Sequence, residues 1–130
     1  MNFLFRFSLV AGLSLLLFGC TQYSNKFVNR KFHDLTSHYN AYYLSKQSLL
    51  KVEEKIKELH QEDYNRILDV KYTIDTNNVG SYKEDLEHAY EKAYLIVKKH
   101  KNSKWLDDAY IQIGKCKLYA GQFTKATLVF

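Results

Sequence analysis

Proline does not occur in these 130 residues, glycine occurs five times and cysteine twice. Without proline, no helix meets a residue that lacks the N–H donor and clashes with the preceding turn. Two cysteines cannot form a disulfide framework or a zinc site, and the five histidines show no ligand spacing near them. The sequence has no G-x-S-x-G elbow, H-E-x-x-H pair or phosphate loop. His33 and His38 stand five apart, off the i, i+4 register that sets two ligands on one helix face, and His60, His88 and His100 read as polar helix positions. No catalytic residue, metal site, cofactor or small-molecule substrate is expected. No long block of one charge is present either. The formal charge is +5, and removing residues 1–19 takes away Arg6 alone, leaving 18 basic against 14 acidic residues, or +4. Spread along helices, this excess reads as solvated faces, and no nucleic-acid partner is expected.

Aromatic residues, in contrast, are abundant. They make up 15% of the chain, with eleven tyrosines, too many for a disordered polymer. The length allows a single core at most. The opening "MNFLFRFSLVAGLSLLLFG" carries one charge, Arg6, followed by an apolar run over residues 7–18, the length of a signal-peptide h-region. It ends in Leu17-Phe18-Gly19-Cys20, which resembles a bacterial lipobox, although Phe18 is bulkier than the small residue usual there. In that chemistry the Cys20 thiol takes a diacylglycerol thioether, the chain is cut between Gly19 and Cys20, and the new amine is acylated. Each buried CH₂ then contributes about 0.8 kcal/mol to anchoring. The expected organisation is a signal peptide over 1–19, a lipidated polar tether over 20–28, a helical region over 29–103 and an incomplete helical hairpin over 104–130.

The body reads as all-α. Residues 32–61 predict one long helix, with Leu35, Tyr39 and Tyr42 on a face continued by Leu49, Val52, Ile56 and Leu59. Residues 63–80 break the period and read as a connector, with a short extended piece at 67–72 and turn chemistry at 77–80. Ser81-Tyr82-Lys83-Glu84 has the form of a capping box. It predicts a helix over residues 82–100, with Leu86, Ala89, Tyr90, Ala93 and Val97 inward and Lys98, Lys99 and His100 at its negative end. Ser103 is the expected next N-cap.

The stretch "AYIQIGKCKLYAGQFTKATLVF" resembles a tetratricopeptide repeat (TPR). Tyr110 stands at the tryptophan position of that pattern, Ile113 at the leucine and Gly114 at the glycine. Gly121 makes the turn, Phe123 starts the second helix, Ala126 is the small contact residue and Phe130 the large one. Gly114 and Ala126 would let antiparallel helices approach while Tyr110, Ile113, Phe123 and Phe130 fill the space around them. Lys117 departs from the pattern, where an aromatic is usual. Cys116 reads as a packing residue. Counted from Asp107, the 34-residue unit would end near position 140, about ten residues past Phe130. The expected fold is therefore antiparallel helical hairpins in a TPR-like solenoid, truncated at the C-terminus.

Between the tether and the long helix, Asn29, Arg30, His33, Tyr39 and Asn40 interleave with aromatics, as a recognition surface would. The same mix also suits a helix start whose aromatics reach the core. The run Asn29-Arg30-x-Phe32-His33-x-Leu35-Thr36-x-x-Tyr39-Asn40, a short tether after a lipobox cysteine, resembles the start of a family of large TPR lipoproteins. These are the accessory lipoproteins of the type IX secretion and gliding machinery of Bacteroidota, the PorW/SprE family. The segment "DYNRILDV" is also similar, although Asp69 stands where proline is common, and Leu44-Ser45 replaces the asparagine or glycine usual after the Tyr-Asn pair. The resemblance implies a lipid-anchored outer-membrane protein on the periplasmic side, whose partners are secretion-machinery proteins. Two other readings remain open: a glycan-binding SusD-like lipoprotein that stacks sugars on Tyr42, Tyr43 or Trp105, and an outer-membrane assembly factor. The absence of an acidic signal after Cys20 weighs against the first. The long helix and connector after the tether weigh against the second.

Overall fold

A computed structural model describes residues 25–62, 64–65, 67 and 71–130. Gly19 and Cys20 lie outside the described residues, as do residues 68–70 of the expected extended piece at 67–72. The described residues are helical, and no strand occurs among them. Helix α1 spans Phe27–Ser37, α2 Tyr43–Leu59, α3 Lys83–Lys99, α4 Leu106–Tyr119 and α5 Phe123–Thr127. Helix α1 runs into α2 through one π-helical turn, His38–Tyr42, where the Tyr43 N–H reaches back to the His38 carbonyl. The long helix thus starts at Phe27, inside the stretch read as tether.

That π turn changes which residues face inward. One extra residue in a turn rotates everything beyond it by about 100° relative to a regular helix. The buried series is His33, Ser37, Ala41, Ser45, Ser48, Leu49, Val52 and Ile56. Leu35 and Tyr39, expected inward, are instead 61% and 62% exposed. On α3 the buried residues are Leu86, Ala89, Ala93 and Ile96, while Tyr90 and Val97 are half-buried.

Helices α2 and α3 run antiparallel, with Lys55 paired to Asp85 at 2.8 Å, Ser48 Oγ 2.8 Å from His88 Nδ1, and Ser45 Oγ donating to the Ala89 carbonyl at 2.8 Å. The seam is built of Ala41 and Ser45 on one side and Ala89 and Ala93 on the other, all fully buried. Residues this small let two axes approach to the short end of the usual range, about 8 Å. Helix α4 packs antiparallel on the other flank of α3, and one core cluster joins all three helices through Leu49, Val52, Ile56, Leu86, Ala89 and Cys116, with Tyr82 beneath. Burial pushes the Cys116 thiol up to about 12, so Cys116 is a neutral packing residue at physiological pH. Between α2 and α4, Glu53 accepts from the Tyr119 hydroxyl at 2.6 Å and pairs with Lys115 at 3.3 Å.

The start of α3 differs from the expected capping box. A 3-10 turn, Thr76–Tyr82, precedes α3, and Asp75 caps it by accepting from the Asn77 N–H at 2.9 Å. Ser81 Oγ donates to the Asn78 carbonyl instead of capping α3. The connector's polar side chains are therefore spent on closing its own turns.

At the C-terminal end of α4, Gly121 has φ +71°, its N–H bonds to the Leu118 carbonyl, and the Gln122 N–H bonds to the Lys117 carbonyl. That pair of bonds around a left-handed glycine is a Schellman cap. A Cβ at Gly121 would also lie 2.8 Å from Thr76 Cγ2. Gly121→Ala should therefore lower the unfolding free energy by about 1–2 kcal/mol. Gly80→Ala should change it by less than about 0.5 kcal/mol, because Gly80 has open space and no positive φ. Chemical denaturation of the two variants side by side tests the assignment.

Candidate functional site

The first turns of the chain's long helix are fixed to the α3–α4 turn by a polar node. His33, Ser37, His100 and Ser103 are all more than nine-tenths buried. Their spacing explains the register: His33 and Ser37 sit one turn apart on the inner face of α1, and His100 and Ser103 lie in the tight turn opposite. Ser37 Oγ donates to the Asp34 carbonyl at 3.2 Å and lies 2.6 Å from Ser103 Oγ. With its proton committed there, Ser37 accepts from the Ser103 hydroxyl, and Ser103 Oγ accepts from the Trp105 N–H at 3.2 Å. Asp34 Oδ1 accepts from the Lys104 N–H at 2.8 Å, closing the turn from outside. Ser103, expected as an N-cap, thus orders the turn that leads into α4, whose first helical residue is Leu106.

His33 Nδ1 and His100 Nδ1 are 2.9 Å apart. One ring must donate and the other accept, so the two facing nitrogens share a single proton. Burial first, then the neighbouring His33 and Lys99 charges, hold the His100 imidazole below its ordinary value of 6.5. His100 is therefore a core residue and not the solvated position that the sequence implied.

Beside this node lies an aromatic group. His38 and Tyr42 stack on Trp105 with ring centroids at 4.3 and 4.9 Å, and Lys104 Nζ lies 5.1 Å over the indole. Sequence reasoning missed the partnership of Ser37, His100, Ser103 and Trp105, although His33 and Ser37 at i, i+4 on an otherwise aromatic helix carried a signal for it.

The five residues read as a recognition surface divide. His33 is buried in the node, whereas Arg30, Tyr39 and Asn40 are exposed and Asn29 is half-buried. The repeat residues divide too. Ile113, Gly114 and Ala126 are buried, and a Cβ on Gly114 would meet the Phe130 ring at 2.6 Å. Tyr110, Phe123 and Phe130 are 44%, 51% and 68% exposed, so these three leave much of their surface outside.

A cleft between α2 and α4 is bordered by Tyr42, Lys46, Leu50, Ile111 and Lys115. Gln112 also lines it, and Gln112 Oε1 is buried without a hydrogen-bond partner among the described residues. Among these residues, no group of three or more His, Cys, Asp or Glu is placed to hold a metal ion, and no helix is long and apolar enough to cross a membrane.

Comparison with known proteins finds no matching family model, no matching curated protein and no matching solved structure.

The His33–His100 pair has a thermodynamic consequence. Because the His100 value is depressed in the fold, the unfolded chain takes up its proton first on acidification. The His100 contribution is complete above pH 6.5 and declines as pH falls below it. Melting temperature should therefore drop between pH 7.5 and pH 5. A His100→Gln variant should be less stable at pH 7.5 by about 1–3 kcal/mol and show a shallower pH dependence. Thermal unfolding at three pH values checks both, and an equally steep fall in the variant would remove His100 as the cause.

Proposed function

We propose that this chain is a membrane-anchored lipoprotein that works as a helical scaffold for protein partners, without catalytic turnover. The observation that carries this reading is the hairpin of α4 and α5. It turns on a left-handed Gly121, brings Phe130 over Gly114, and leaves Tyr110, Ile111, Phe123, Leu128 and Phe130 largely exposed. Stacked helical repeats present this kind of apolar face to a neighbouring hairpin. A TPR-like solenoid is thus the finer reading of the helical fold.

The cleft between α2 and α4 supplies a place for an extended or helical segment of a partner. Leu50 and Ile111, each about half exposed, offer apolar contact.

Cys20, in its lipobox-like setting, is the proposed site of diacylglycerol and acyl attachment. Together with the run from Asn29 to Asn40, it supports a place among the type IX secretion and gliding lipoproteins, lipid-anchored in the outer membrane and facing the periplasm. The glycan-binding alternative fits less well, because the Trp105 ring already stacks with His38 and Tyr42.

Three measurements test the proposal on cells that make the protein. Cys20→Ser should move it from the membrane to the soluble fraction. Affinity capture after mild detergent extraction should recover defined protein partners, and Ile111→Glu should cut that recovery several-fold while leaving the helical content unchanged. Trp105 fluorescence should not respond to oligosaccharides. Strong quenching by sugar, with no protein recovered, would favour the glycan reading instead.

A further inference from the structure

The long helix has a second face, and the fold leaves it outside. Val28, Phe32, Leu35 and Tyr39 follow one another at steps of four, three and four, and each is at least 60% exposed. They form a stripe on α1 and the following π turn, well away from the side that carries His33, Ser37 and Ala41. Phe27, 73% exposed, stands beside it. Single exposed apolar residues are ordinary, but a stripe of large ones over some three helical turns is a contact surface.

Two lysines border it. Lys31 is exposed on its flank, whereas Lys26 and Arg30, also exposed, fall on the side of His33 and Ser37. Lys31 Nζ lies 5.6 Å from the Phe27 ring, and Lys104 borders the same surface near Leu35 and Tyr39. The carboxylate on this helix, Asp34, turns one oxygen to the Lys104 backbone N–H. A stripe of aromatic and aliphatic residues flanked by cations matches the boundary between acyl chains and anionic headgroups.

Position along the chain points the same way. Six residues separate Cys20 from Phe27. Even fully extended, that span holds the first turn of α1 within about 25 Å of the anchored cysteine.

We propose that α1 lies along an anionic lipid surface, with Val28, Phe32, Leu35 and Tyr39 at the headgroup–acyl boundary and Lys31 and Lys104 on lipid phosphates. This rests on the reading of Cys20 as the lipid anchor. Anchor and helix together then give the protein one orientation on the membrane, because the His33–His100 and Ser37–Ser103 contacts fix α1 to the body. The cleft between α2 and α4 is held at a set distance from the bilayer.

Site-directed spin labelling of the processed full-length protein tests this. Phe32→Cys receives a nitroxide, while Cys116, 3% exposed, stays unlabelled and a lipidated Cys20 has no free thiol. Lys57→Cys, at the far end of α2, is the reference. Each is reconstituted into vesicles of phosphatidylethanolamine and phosphatidylglycerol, 3:1. Collision with oxygen relative to a water-soluble nickel chelate should be several-fold higher at position 32 than at position 57. Equal, water-like accessibility at both sites, with one label per chain, would overturn the proposal while leaving the anchor intact, and would turn the stripe over to a protein partner. Two labels per chain would show a free Cys20 thiol and overturn the anchor reading and the proposal with it.

Discussion

The close approach of the long helix to α3 is the constraint on which the rest depends. Ala41 and Ser45 meet Ala89 and Ala93 with no side chain large enough to hold the backbones apart, and Ser45 donates to the Ala89 carbonyl. A hydroxyl that finds a helix carbonyl is satisfied without occupying the volume of a larger polar group. Larger residues at any of these four positions would part the helices along their length. Leu49, Val52 and Ile56 reach Leu86 and Cys116 because the seam above them is thin. Position along the seam decides what α4 can do as well, since Tyr119 and Lys115 must both reach Glu53 across the end of the sandwich.

This constraint also explains how much of the fold was legible in the sequence. The helical content, the hairpin turn at Gly121, the start of α5 at Phe123 and the inward Leu86, Ala89 and Ala93 follow from local signals: a left-handed glycine, apolar spacing and the lysines at the end of α3. The inner face of α1 did not. Apolar periodicity assigned Leu35 and Tyr39 to the core because, in an unbroken α-helix, they lie close to the face of Leu49 and Ile56. The π turn rotates that face by one residue, about 100°, and hands the core to His33, Ser37 and Ala41. No single residue announces a π turn. The signal was a set of small or polar residues every four positions, 33, 37, 41 and 45, a period that drifts around a regular α-helix and stays on one side only if a wider turn absorbs the drift.

The same register explains why the candidate site was only half visible. Arg30 and Asn40 were read as surface residues and are exposed, and Tyr39, read both ways, is exposed too, but His33 was grouped with them on composition and belongs to the interior. Its partner is 67 residues away in sequence, and the partner's burial follows from the turn between α3 and α4 being folded back under α1. A turn rich in lysine, asparagine and serine reads as solvated from sequence. Here it is covered, and it can be covered because Ser103, Ser37 and Asp34 satisfy its polar groups in sequence, each donor committed to one acceptor.

A helix that buries serine, histidine and alanine while exposing phenylalanine, leucine and tyrosine reverses the usual sorting of side chains, and each half of that reversal has its own physical cause. Inside, small and hydrogen-bonded groups fix distance and register, which bulky aliphatics alone specify poorly because they can slide over one another. The histidine pair, which bonds only when one facing nitrogen donates and the other accepts, adds a geometric condition that apolar contact lacks. Outside, the large apolar residues contribute little to the stability of this body, since most of their surface stays in water. Bordered by Lys31 and Lys104, they form the face that the proposed lipid contact would cover. Moving the aromatic residues inward would strengthen a core and part the seam, whereas the observed sorting keeps the seam thin and leaves an adhesive face within reach of Cys20. The orientation of that face is therefore set by the interior: the polar node and the π turn decide which way Phe32 and Leu35 point, and so what the protein can lie against.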